Sequence, residues 1–207
     1  MTNTLYCFGE SGNAYKAALA LELAGVDWTP RFVDFFKGAA RSPEFLAINP
    51  MGEVPVLDAD GTLLTQSGVI QKWVMDTTGA LGDADPLEIL RWTIFDNQKI
   101  SGVAGPLRFM MNFLPEDKRN PDVNGFLSGR LKAALGVLEG ELTNRDWLAG
   151  DTLTCADISC AGYLFYDEPF TFSRTTYPAI DAWLTRISET PGWKHPYDLM
   201  QRAFGTS

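Results

Sequence analysis

The residues best suited to hold a ligand are the run Asn49-Pro50-Met51-Gly52-Glu53-Val54-Pro55-Val56-Leu57 and the pair Gln66-Ser67 that follows a short Asp/Gly turn. Pro55, just inside a Val/Leu strand, cannot donate to a sheet ladder. It therefore marks a strand start or edge where backbone groups stay open. An extended ligand could pair there. Ser67 reads as the N-cap of an amphipathic stretch through Trp73, Val74 and Met75, and a helix N-terminus favours a carboxylate. One stretch of chain could thus grip a peptide by its backbone and by its acidic end.

A second group of polar residues lies in the loop Phe8-Gly9-Glu10-Ser11-Gly12-Asn13-Ala14-Tyr15-Lys16. Ser11 or Asn13 could offer a donor to an anion at the start of the first helix, or simply cap that helix, and each could do both. Cys7 lies ahead of this loop in a strand, with no Cys-x-x-Cys pair, which argues against dithiol exchange. Cys155 and Cys160 fall on different sides of a later helix and read as small hydrophobes. His195, beside Pro196, is the single histidine and reads as a packing residue. Neither it nor the cysteines suggest a metal site.

The elements that must position these residues follow from pattern. Thr4 to Phe8 reads as a buried strand, Asn13 to Ala24 as a helix stopped by Gly25, and Trp28 to Val33 as a second strand. Ser42-Pro43-Glu44 opens a short helix. Val54 to Leu57 and Thr62 to Leu64 form a hairpin about Asp58-Ala59-Asp60-Gly61, and a helix from Ser67 to about Thr77 closes a βαβαββα unit. Gly, Asp and Pro crowd the segment after it. The expected division is 1–78 for this unit, 79–86 for a linker and 87–207 for an all-helical domain.

In that second part apolar residues recur at helical spacing: Leu87, Leu90 and Ile94; Leu131, Leu135, Leu138 and Leu142; Ile180, Trp183, Leu184 and Ile187. Glu116 to Asn124 reads as a loop. Thr154 and Asp157 make a capping box, with Leu153 and Ile158 as its hydrophobic staple, and their role is in folding.

Composition narrows the function classes. The chain has 207 residues, a formal charge of −9, 45% hydrophobic residues and three cysteines. An acidic chain without a Lys/Arg cluster offers no phosphate track, so nucleic acid is not an expected partner. No apolar run approaches the ~20 residues that span a bilayer, and no basic flank precedes an apolar stretch at the start, so no membrane partner is expected. Few cysteines in no framework suit a reducing compartment, the cytoplasm.

The βαβαββα order, the Asn-Pro-Met-Gly-Glu-Val-Pro-Val-Leu run, Gln66-Ser67 and the capping box, all in sequence, resemble the cytosolic glutathione transferases over nearly the whole chain. The resemblance implies an α+β thioredoxin-like domain with a mixed four-stranded sheet and a cis Pro55, followed by an all-α helical bundle, in a homodimer. It implies a detoxification enzyme that uses glutathione as co-substrate without a metal. The glutathione thiolate would attack a small hydrophobic electrophile. Disulfide or peroxide reduction and a non-catalytic assembly module are the alternatives.

Site residues follow by the same resemblance. Ser11 aligns with the serine or threonine of theta-, zeta- and delta-like members. Asn13 falls where beta-like members carry cysteine and some bacterial members carry asparagine. Either would lower the thiol pKa. Val54 would pair with the cysteinyl backbone, Pro55 would shape that edge, and Gln66 and Ser67 would hold the γ-glutamyl end. Many relatives carry Lys or Gln before the Val-Pro pair, facing the glycine carboxylate. Here Glu53 stands there, and Lys37 or Arg41 is expected to compensate its charge. Phe8, Phe109, Met110 and Phe113 are the expected electrophile pocket, with Phe165, Tyr166 and Phe170 ranked below them. Asp96 and Asn97 are further candidates for the glutamyl amine across a dimer interface.

Overall fold

The structure, a computed structural model, describes residues 3–204. The chain divides into two compact units, one formed by Met1–Leu81 with Pro191–Ser207 and the other by Gly82–Thr190.

In the first unit the strands β1 (Asn3–Cys7), β2 (Trp28–Phe32), β3 (Val56–Ala59) and β4 (Thr62–Thr65) form one sheet in the order β2-β1-β3-β4. β2 runs parallel to β1, and the other pairs are antiparallel. Alternation sets which faces are covered: Leu5, Val56 and Leu57 in the central strands are fully buried, whereas β2 is an exposed edge that tolerates Pro30. Helix α1 (Gly12–Leu23) is Ala/Leu-rich and buried along most of its length, and it packs on α3 (Ser67–Thr78). The short α2 (Pro43–Ile48) starts as its sequence predicts, with Pro43 in the first turn and Ser42 Oγ accepting the Phe45 N–H at 3.2 Å.

Several boundaries differ from the sequence reading. β3 runs Val56–Ala59, not Val54–Leu57: Pro55 has no N–H to pair, and Asp58 and Ala59 belong to the strand, so the hairpin turns on Asp60-Gly61 alone. The N-cap of α3 is Gln66, at φ 71°, and Ser67 is the first helical residue. Residues after Pro191, expected in the helical domain, group with the first unit, where α9 (Pro196–Leu199) packs on α1.

The second unit contains α4 (Pro86–Phe95), α5 (Ser101–Asn112), α6 (Pro121–Leu142), α7 (Cys155–Ala161) and α8 (Pro178–Ser188). Its core includes Trp92, Leu107, Leu131, Leu135, Leu138, Ile158 and Trp183. α6 begins inside the segment expected to be a loop, because Asn120 caps it, accepting N–H bonds from Asp122 and Val123, and Pro121 suits the first turn. The capping box of α7 is present: Thr154 N–H donates to Asp157 at 3.0 Å, and Thr154 Oγ1 accepts the Ala156 N–H. Asp157 also accepts from Leu148 N–H and Trp183 Nε1–H. A cap thus joins three segments of the core. Burial pushes its carboxyl pKa up, against the four hydrogen-bond donors that draw it down.

Candidate functional site

Sheet register gathers the predicted glutathione residues at one end of the first unit. Tyr6 pairs with Val56, and Val56 with Thr65. Those are the last ladder pairs at this end, so Phe8 follows β1, Pro55 precedes β3 and Gln66 follows β4 here. β1 therefore releases the loop carrying Ser11 and Asn13 at the same end where the chain enters β3 and leaves β4. The N-termini of α1 and α3 lie at that end too, and neither has an acidic side chain in its first turn. Both helix dipoles remain available to an anion.

Ser11 is the N-cap of α1. Its Oγ accepts the Ala14 N–H at 3.1 Å, and its hydroxyl proton is still available to donate. Asn13, half-buried in the first turn, accepts a bond at Oδ1 from Lys16 Nζ at 3.0 Å. An ammonium has no acceptor, so the amide oxygen faces Lys16 and the amide N–H groups lie on the other side. Tyr15 is buried, its hydroxyl donates to the Lys194 carbonyl, and burial drives its pKa upward. It is a core residue.

The turn before β3 is braced from beneath. Asn49, 1% exposed, donates through Nδ2 to the Glu53 carbonyl at 2.8 Å and accepts the Met51 N–H at Oδ1. Gly52 has φ +63°, and a Cβ there would lie 2.7 Å from Arg41 Nη1 and 2.9 Å from the Ala40 carbonyl. Only glycine fits that approach. Val54 lies beyond the last β3 ladder pair, Pro55 is buried, and Glu53 is exposed. Arg41 donates to the Met51 carbonyl and so reaches this turn, whereas Lys37 is exposed and paired with Asp34 at 3.0 Å. Gln66 donates to Met51 Sδ at 3.3 Å, which links the two ligand segments, and Ser67 is buried.

Comparison with known proteins gives the family. The N-terminal domain model of glutathione S-transferase matches residues 1–76, and the C-terminal domain model matches residues 110–191. A probable glutathione S-transferase of rice, Oryza sativa subsp. japonica, is 30% identical over 95% of this chain and 96% of its own length. The chain belongs to the glutathione S-transferase family. A possible glutathione S-transferase from Rhodopseudomonas palustris superposes with a TM-score of 0.87 at 32% identity, covering 94% of this chain and 89% of that one. A glutathione transferase from Burkholderia graminis, solved with two glutathione molecules per subunit, gives 0.81 at 26% identity, over 92% and 85%.

The other transferase candidates separate by burial. Phe8 is 6% exposed and sits in an aromatic cluster, stacked on Phe35 at 5.1 Å and edge-on to Phe36. In the second unit Phe109 is exposed, Met110 is half-buried, and Phe113, the C-cap of α5, is half-buried. Buried Arg108 lies against the Tyr166 ring at 3.8 Å, reaches the Phe113 ring, and pairs with Glu168 at 2.7 Å. Tyr166 and Phe165 are core, and Phe170 is half-buried.

Asp96 requires correction. It is fully buried in the π-turn Asp96–Ile100 between α4 and α5, accepting from Ser101 Oγ at 2.6 Å and Ser159 Oγ at 2.9 Å. It fastens the helices and cannot reach a ligand on another subunit. Asn97 donates to the Thr93 carbonyl on its own helix.

Cys7 and Cys155 are buried thiols whose pKa values burial pushes up to about 12. Neither is a nucleophile at neutral pH. His195 accepts the Tyr197 N–H and starts α9. Among the described residues no group of three or more His, Cys, Asp or Glu could hold a metal ion, and no helix is long and apolar enough to cross a membrane.

Sequence reasoning gave no role to Lys16, Glu10 or Asn49. The Asn13/Lys16 spacing of three on a helix was a readable signal for the first. Glu10 bonds to backbone 193 residues away and had none.

Proposed function

We propose that this glutathione transferase binds glutathione along the sheet end formed by Val54, Pro55, Gln66 and Ser67, and holds its thiolate with Ser11 and Asn13. The observation that carries the reading is that β1 and β4 end, and β3 begins, at one end of the sheet, where α1 and α3 also start. The N–H and C=O of Val54 offer a short backbone pairing, and Ser67 at the start of α3 offers a hydroxyl and N–H to a carboxylate. Ser11 and Asn13 each supply a donor that favours the charged form of the thiol, so the thiol ionises near neutral pH and no side chain needs to keep its proton. Arg41, on the Met51–Gly52 turn, offsets Glu53 toward the glycine carboxylate.

The acceptor is a small hydrophobic electrophile, and the partly exposed apolar residues Phe109, Met110 and Phe113 at the end of α5 support this. Flexible thioethers and rings suit varied shapes. Reduction of a disulfide or peroxide is the second reading, favoured by the oriented Asn13 amide. It calls for loss of that activity in Asn13→Ala and not in Ser11→Ala. A homodimer fits the row Leu87, Leu90 and Ile94 on α4, which are 72%, 52% and 48% exposed at helical spacing. Three free, buried cysteines fit a cytoplasmic setting.

Calorimetric titration of reduced glutathione tests the reading. Ser67→Ala is expected to weaken binding about tenfold, and Glu53→Lys to tighten it by relieving repulsion. A parent protein that takes up no glutathione at millimolar concentration overturns the assignment.

A further inference from the structure

Glu10 immediately precedes Ser11, and its side chain is 1% exposed. A buried carboxylate beside a thiolate site opposes ionisation of the thiol unless its charge is met elsewhere. Here residues 201–204 meet it. Glu10 Oε2 accepts the Ala203 N–H at 2.9 Å, Oε1 accepts the Phe204 N–H at 3.3 Å, and Arg202 Nε lies 3.7 Å from Oε1.

The same segment grips the loop at two further points. Gly9 N–H donates to the Gln201 carbonyl at 2.7 Å, and the approach is so close that a Cβ on Gly9 would fall 3.1 Å from the Tyr197 ring and 3.2 Å from Arg202 Cα. Arg202 lies over the Tyr197 ring at 3.9 Å, and the Phe204 ring sits 4.6 Å from Phe36, which contacts Phe8. Other charged or titratable groups on the packed elements are Lys16 on α1, Cys7 on β1, His195 at the start of α9, and Lys194, which is paired with Glu22.

We propose that residues 201–204 are a working part of the thiol site: they compensate the Glu10 carboxylate and fix the Gly9–Ser11 loop, making Glu10 a positioning residue for thiolate formation. This rests on the reading of Ser11 and Asn13 as the thiol-contacting residues. If the segment is released, Glu10 keeps its charge beside the site without its N–H donors, and the thiol becomes a weaker acid.

The test uses Ala203→Pro, which deletes one N–H donor at constant chain length, alone and combined with Glu10→Gln. Amide exchange at Gly9 and Phe204 reads the docking, and ultraviolet titration of bound glutathione reads the thiolate. Ala203→Pro is expected to speed exchange at both amides and to move the thiol midpoint upward by about one pH unit. Adding Glu10→Gln is expected to bring the midpoint back toward the parent value, an outcome that mere loosening of the fold does not produce. Unchanged exchange in Ala203→Pro overturns the clamp. Faster exchange with an unmoved midpoint, or a shift that Glu10→Gln fails to reverse, overturns the electrostatic role. A parent that shows no thiolate with glutathione overturns the transferase site and this inference with it, a result distinct from the others because it appears before any substitution is made.

Discussion

Lys16 Nζ donates to Asn13 Oδ1 at 3.0 Å from a position with no solvent exposure. A buried ammonium is costly unless its bonds do something for the structure around it. This one settles which way the Asn13 amide is turned, three residues along α1 from the ammonium. Lys16→Met, which keeps the length of the stem, is expected to raise the pH midpoint of the glutathione thiol by about one unit and to lower kcat/KM about tenfold at neutral pH. Steady-state rates across pH check this. An unchanged midpoint would remove Lys16 from the site.

Gly52 is held in the left-handed region against Arg41 and the Ala40 carbonyl. Gly52→Ala is expected to cost about 2 kcal/mol, read from urea unfolding, because both the backbone conformation and the close approach resist a methyl group. The same variant should bind glutathione several-fold more weakly, since the turn carries Glu53 and Val54.

Asp157 accepts bonds from Thr154, Leu148 and Trp183. Asp157→Ala leaves buried N–H groups without acceptors as well as removing a cap, and is expected to destabilise the protein by about 3 kcal/mol. Denaturant midpoints measure it, and the glutathione affinity of the protein that remains folded should be unaltered.

The buried thiols set an alkaline limit. Cys7 and Cys155 have an ordinary pKa of 9.0 when exposed in the unfolded chain and about 12 in the fold. The folded state therefore holds more protons between those values, and its stability falls as pH rises through them. The contribution is complete below pH 9 and lost by about pH 12. Urea midpoints from pH 8 to about 11 should decline, and the decline should be shallower in a Cys7→Ala, Cys155→Ala variant.

Local signals were legible wherever a short run of residues determined the outcome. The capping box at Thr154 and Asp157, the Pro43 helix start and the Asp/Gly hairpin all depend on neighbours within a few residues, and each is present in the structure. That the starts of α1, β3 and α3 share one end of the sheet was legible only through the family resemblance, because register joins segments tens of residues apart.

What escaped the sequence was non-local or unusual in backbone. Gln66 adopts positive φ without being glycine, so Ser67 passed for the cap. Asp96, a candidate for the glutamyl amine across a dimer interface, is carried inward by the π-turn to Ser101 and Ser159. The return of residues after Pro191 to the first unit left no mark in hydrophobic periodicity, since its helix has only four residues and its other anchors are single rings, a carboxylate and backbone N–H groups.

That return makes the first unit discontinuous in the chain. During synthesis α1 and the sheet emerge early, but the partners of Glu10 are made some two hundred residues later. On a ribosome that adds residues one at a time, the first unit can collapse long before its active loop is complete. A nascent chain that has reached only Met200 would already contain the four strands of the sheet, yet its Glu10 carboxylate would still be waiting for its counterpart.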